Sequence, residues 1–101
     1  MFIDQISVFM ENKKGRLSSL TRILADNGID LVALSIADTA DYGIMRAIVN
    51  DTPGAEKALR AAGFMVSTTR VLGVVVPDTP GGLSDVLEIF SRGDVSVEYL
   101  Y

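Results

Sequence analysis

With no histidine and no cysteine in its 101 residues, this chain offers neither the commonest general base nor a thiolate. The residues whose types and spacing could do chemistry lie in two short glycine-bearing stretches, Asp78-Thr79-Pro80-Gly81-Gly82-Leu83 and Asn12-Lys13-Lys14-Gly15-Arg16-Leu17. Each follows an apolar run with the pattern of a strand and opens an amphipathic helix. The chemistry they suit is anion recognition. Glycine has no Cβ, so its backbone can take positive φ and approach a ligand closely. A helix start leaves several N–H groups unpaired at the positive end of a dipole, where a carboxylate or a phosphate can dock. Shifting the chain on itself by 66 residues pairs Gly15 with Gly81, Leu17 with Leu83, Ser18 with Ser84, Ile23 with Ile89 and Val8 with Val74. The two stretches therefore read as copies of one strand-turn-helix device.

Each candidate also has a purely structural reading. Gly15, Gly81 and Gly82 can simply make a turn and start a helix, although two adjacent glycines leave more backbone bare than a turn requires. Asn12 and Asp78 suit an N-cap or a turn, because their short side chains bond nearby backbone N–H groups. Lys13, Lys14 and Arg16 read either as an anion-binding loop or as a solvated charge run. Tyr99 and Tyr101 alternate with Leu100, where they could line a pocket, cover a partner or be ordinary strand residues. No catalytic residue, metal site or cofactor is expected.

Composition narrows the class. About half the residues are apolar, which is enough for a core, and no apolar run approaches the ~18 residues of a membrane span. Met1-Phe2-Ile3-Asp4 has no basic region followed by a long apolar stretch, so a signal peptide is not expected. The absence of cysteine fits a reducing cytoplasm. A formal charge of −4 argues against nucleic acid, whose phosphates favour basic surfaces.

The elements that must position the loops follow from periodicity. Phe2 to Met10 alternates, with Ile6, Val8 and Met10 on one face, and reads as a strand. Gly15 to Asn27 is helical, with Leu17, Leu20, Ile23 and Leu24 in an apolar stripe and Gly28 as a C′ glycine. Ile29 to Ala37 and Ile44 to Val49 read as a strand pair around a hairpin loop at Asp38 to Gly43. Thr52-Pro53 opens a helix, with Thr as cap, that ends at Gly63, and Phe64 to Arg70 is a fourth strand. The order βαββαβ describes an α+β, ferredoxin-like sandwich over residues 1–70.

The pattern then restarts. Val71 to Val76 reads as a buried strand, and the helix after Gly81 carries Leu83, Val86, Leu87 and Phe90 on one face and a Glu88–Arg92 pair on the other. Gly93 ends it, and Val95 to Tyr101 alternates as a last strand. Residues 71–101 thus form the βαβ first half of a second copy. Two strands and one helix cannot cover their own apolar face. The second unit reads as truncated, the chain being a fragment or needing a partner's cover, and a homodimer or larger assembly is expected.

These motifs resemble the ACT domains, small βαββαβ ligand-sensing modules. Asp78-Thr79-Pro80-Gly81-Gly82-Leu83 is similar to that family's first strand-to-helix loop, an Asp or Asn followed by Pro-Gly-x-Leu. Asn12 to Leu17 is a looser copy, with Lys14 where proline usually stands. Asn27-Gly28-Ile29-Asp30-Leu31 is similar to the Gly-Ile-Asn-Ile lead into the family's second strand. The resemblance covers the whole chain, as one complete domain and half of a second, and implies no catalysis. It implies amino-acid binding between the loop of one domain and the second strand of its neighbour. On that basis the ligand residues are Asp78, Thr79, Gly81, Gly82 and Leu83, with Asn12, Gly15, Arg16 and Leu17, and Ile29, Asp30, Leu31, Val95 and Ser96 at the strands. Two other classes stay open: a dimerisation module without ligand, and an acylphosphatase-like enzyme holding a phosphate with Arg16 and bare N–H groups. The enzyme reading suffers because the loop lacks that family's Val-Gln-Gly-Val pattern and no partner Asn is evident on the second strand.

Overall fold

The computed structural model describes residues 1–38 and 41–101. Apolar alternation gives β1 (Phe2–Glu11), whose Ile6, Val8 and Met10 are buried on one face. It is followed by α1 (Arg16–Asp26), β2 (Leu31–Asp38), β3 (Tyr42–Val49), α2 (Thr52–Ala61), β4 (Met65–Leu72) and α3 (Gly82–Arg92). The first six elements realise the expected βαββαβ order, and the four strands form one antiparallel sheet in the order β2-β3-β1-β4. Val8 lies opposite Met45 on one side and Val66 on the other, so the apolar positions of three strands fall on one face. There Ile6, Val8, Met45 and Ala47 meet Leu20 and Leu24 of α1 and Ala55 and Leu59 of α2 in a single core. Thr39 and Ala40 of the expected hairpin loop lie outside the described residues.

Within the first unit the boundaries move by a residue or two. The cap of α2 is Asp51, not Thr52: its carboxylate accepts from the Gly54 amide at 3.0 Å, and Thr52 becomes the first helical residue. Aspartate is the stronger acceptor here, and a Cβ at position 54 would collide with that carboxylate. Val71 and Leu72 end β4 instead of starting a new strand, because Ile3 and Phe2 of β1 extend the ladder to them.

The chain divides into two compact units, Phe2–Leu72 and Gly73–Tyr101 together with Met1. The second unit departs most from expectation. Residues 73–77 and 95–101 carry no strand assignment. The sheet order of the first unit supplies the physical reason. There β1 pairs with β3 and β4, and β2 pairs with β3, so the first two strands of a copy never pair with each other. Residues 73–77 and 95–101 stand 66 positions after parts of β1 and β2, so by the same order they are not pairing partners, and among the described residues no strand ladder joins them. Nor does α3 gain a core. Leu83 is 45% exposed, Val86, Leu87 and Phe90 are only half-buried, and the one buried residue of the helix is Gly82.

Candidate functional site

Both strand-to-helix loops form, and their backbones agree closely. Gly15 caps α1 with φ 86° and ψ −7°, and Gly81 caps α3 with φ 87° and ψ −9°. The Arg16 amide donates to the Lys13 carbonyl at 3.2 Å, and the Gly82 amide to the Thr79 carbonyl at 3.0 Å. The next bond, Ser19 to Gly15 and Asp85 to Gly81, is 2.9 Å in both. Left-handed φ near 87° is what demands glycine at 15 and 81. Gly82 answers a different constraint, since a Cβ there would strike the Pro77 carbonyl.

Neither Asn12 nor Asp78 caps its helix. A glycine occupies the cap in each case and no side chain accepts from the first turn. The amides of Leu17 and Ser18, and of Leu83 and Ser84, therefore have no hydrogen-bond partner among the described residues. Each loop presents a short row of donors at the positive end of an eleven-residue helix. Asp78, Thr79 and Gly81 are exposed beside the second row, and Asn12 and Gly15 beside the first.

Side chains distinguish the two. Of the three cations in the first loop, Lys13 is bound by Glu11 at 2.8 Å. That hydrogen bond and the ammonium charge hold the Glu11 carboxyl below the ordinary carboxylate range, with a smaller push from Arg16. Arg16 is half-buried with its guanidinium 4.4 Å from the centre of the Phe64 ring, and its Nε is buried with no hydrogen-bond partner. A phosphate-binding reading needs Arg16 turned toward the loop, whereas here it lies on an aromatic face. Sixty-six positions on, Gly82 stands in the place of Arg16, so the second loop carries no cation there.

The strand residues are placed as follows. The Ile29 side chain is 7% exposed and belongs to the core, and Leu31 packs against it, half-buried. Asp30 is exposed and its backbone is clasped by Asn50: the Asp30 amide donates to Asn50 Oδ1 at 2.9 Å and the Asn50 amide to the Asp30 carbonyl at 3.2 Å. Val95 and Ser96 are exposed, and the Val95 amide donates to the Phe90 carbonyl at 2.9 Å. Sequence reading missed the partners Phe64 and Asn50, both distant along the chain. It also missed a hollow of about 250 Å³ lined by Ser7, Phe9, Ile44, Met65, Val66 and Ser67, next to which the Phe9 and Tyr42 rings stack at 5.2 Å.

The helix ends repeat as well. The Gly28 and Asp94 amides donate to Ala25 and Ser91, and the Ile29 and Val95 amides to Leu24 and Phe90, the double bond of a Schellman cap. Position C′ is Gly28 in α1, at φ 69°, but Asp94 in α3, at φ 58°, so Asp94 and not Gly93 takes the left-handed turn.

A family model described as an ACT domain pair matches residues 1–101. Among solved structures, protein BT0572 from Bacteroides thetaiotaomicron is 46% identical, with a TM-score of 0.96 over 100% of this chain and 70% of that one. The ACT domain of prephenate dehydrogenase from Bacillus anthracis is 25% identical, with a TM-score of 0.55 over 62% of this chain and 99% of that one. The ligand-free regulatory subunit of aspartate kinase from Thermus thermophilus shares the fold, with a TM-score of 0.72 at 17% identity over 97% of this chain and 74% of that one. Among curated proteins nothing matches. No helix among the described residues is long and apolar enough to cross a membrane.

Proposed function

The chain belongs to the ACT domain family, as an ACT domain pair, and from that premise we propose that it is a regulatory module that binds an amino acid at its strand-to-helix glycine loops. The observation that carries this is the uncapped first turn of α1 and α3. Two helix starts with matching backbones keep their N–H groups free of internal partners, and a carboxylate is the ligand group such a row accepts best. The second loop adds an acidic acceptor, Asp78, for the ammonium of a zwitterion, and has no cation where Arg16 stands in the first. In this reading Asp78, Thr79, Gly81, Gly82 and Leu83 hold the ligand, and Ile29 to Leu31 of a neighbouring ACT-like domain close over it. The two ACT-like domains meet between Leu72 and Gly73, two residues later than the sequence pattern placed the boundary, and the module acts as a homodimer that controls activity and performs no chemistry itself.

The test is a thermal melt of this chain against the standard amino acids at millimolar concentration, with phosphate and nucleotides in parallel. A ligand that binds only the folded state stabilises it by about 2.7 kcal/mol at a hundred times its dissociation constant. One or a few amino acids should raise the melting temperature, and phosphate should not. A flat panel, or a response to phosphate alone, would overturn the reading.

A further inference from the structure

Between α1 and β2 lies an Asn27–Gly28 pair, both residues exposed. Asparagine followed by glycine is the pairing most open to intramolecular attack, because no Cβ shields the second residue's nitrogen. In the folded chain both reacting groups are tied to the last turn of α1. The attacking nitrogen, that of Gly28, donates to the Ala25 carbonyl at 3.0 Å. The leaving group, Asn27 Nδ2, donates to the Ile23 carbonyl at 2.8 Å, back along the helix and away from Gly28. The Asn27 amide is itself shared between Ile23 and Leu24 at 3.2 Å.

We propose that Asn27–Gly28 is a masked site of spontaneous deamidation, silent while the C-cap of α1 is closed and exposed when that cap opens. In the open state Gly28 N attacks Asn27 Cγ and a ring C–N bond forms. Ammonia leaves carrying the amide nitrogen and the proton lost by Gly28. Water then opens the succinimide at either carbonyl, giving aspartate or isoaspartate. Both products put a carboxylate at the negative end of α1, where the dipole disfavours it, and isoaspartate adds a methylene to the backbone that leads into β2. The site is confined to the first unit, because the matching pair in the second, Gly93–Asp94, has no side-chain amide. Asn12 and Asn50 are followed by residues with side chains and serve as internal references. The inference stands on cap geometry and is independent of the amino-acid reading.

Peptide mass spectrometry of the intact protein aged in mildly alkaline buffer tests it, following the amide-to-acid mass gain at Asn27 under native conditions, in graded urea and in full denaturant. Full denaturant should bring Asn27 to conversion well ahead of Asn12 and Asn50. Native protein should convert at least about tenfold more slowly, since an opening cost of 1.4 kcal/mol already gives that factor. The rate should climb with urea below the global transition, and Leu24→Ala, which loosens the residue that receives the Ile29 amide, should raise it in folded protein. Equal native and denatured rates at Asn27 would show that the cap masks nothing. Conversion at Asn12 or Asn50 as fast as at Asn27 in denaturant would remove the site itself.

Discussion

The strand-turn-helix units at Asn12–Gly28 and Asp78–Asp94 have the same backbone and different surroundings. Their N-cap angles agree within two degrees, yet Leu24 is 1% exposed while its counterpart Phe90 is only half-buried. Loop and cap geometry is thus written into residues a few positions apart, where a left-handed glycine and a first-turn bond suffice. Burial is not. It depends on strands β3 and β4 and helix α2, which the first unit has and residues 73–101 do not contain.

The largest consequence is for packing. Leu24→Ala should cost about 3 kcal/mol, as large-to-small changes in a closed core do, while Phe90→Ala should cost nearer 1 kcal/mol. Denaturant titrations of the two variants measure the difference. Equal losses would mean that α3 is as well covered as α1.

Next comes the ligand. Asp78→Ala should weaken amino-acid binding by about 1.5–3 kcal/mol, the range for a hydrogen bond to a charged group, and Asn12→Ala by much less. Because Asp78 does not cap α3, Asp78→Ala should melt at the parental temperature without ligand, and binding of both variants is compared on folded protein. Calorimetric titration decides between the loops: loss of binding in Asn12→Ala with Asp78→Ala intact would move the site to the first.

The smallest effect separates the two C-caps. Gly28→Ala should lose about 1 kcal/mol, as a Cβ at left-handed φ does, whereas Asp94→Gly should gain about 0.5 kcal/mol by removing one. Melting curves resolve shifts of this size, and destabilisation by Asp94→Gly would show that Asp94 contributes more than its backbone angle.

What the sequence made readable follows the same division. Alternation in Phe2 to Met10, the stripe of Leu20 and Leu24, and the Gly28 cap are short-range signals, and each appears where expected. The ferredoxin-like order of the first unit followed from them. Val95 to Tyr101 misled because alternation records a face and not a partner: among the described residues no strand pairs with it. Gly93 ends α3 where expected, but the left-handed turn beyond it falls on Asp94, a residue type that does not announce one. In the site, the glycines at 15 and 81 were legible and their uncapped first turns were not, because Asn12 and Asp78 have the chemistry of caps without the placement. Arg16 was read as an anion contact because Phe64, on which it lies, is 48 positions away.

The sheet order bears on how the chain acquires its fold. β1 is made before the other strands of the sheet, yet it occupies an interior position and, among the described residues, pairs with β3 and β4; Phe2 meets Leu72. None of its neighbours exists until most of the unit has been synthesised. β2 and β3 pair antiparallel and are neighbours in sequence, so this pairing can form early. β1 must wait as an apolar ribbon, exposed to chance encounters, for partners far down the chain. Slowing translation between β1 and β3 should therefore prolong the most aggregation-prone interval in the life of this molecule, whereas the same delay after Leu72 should not.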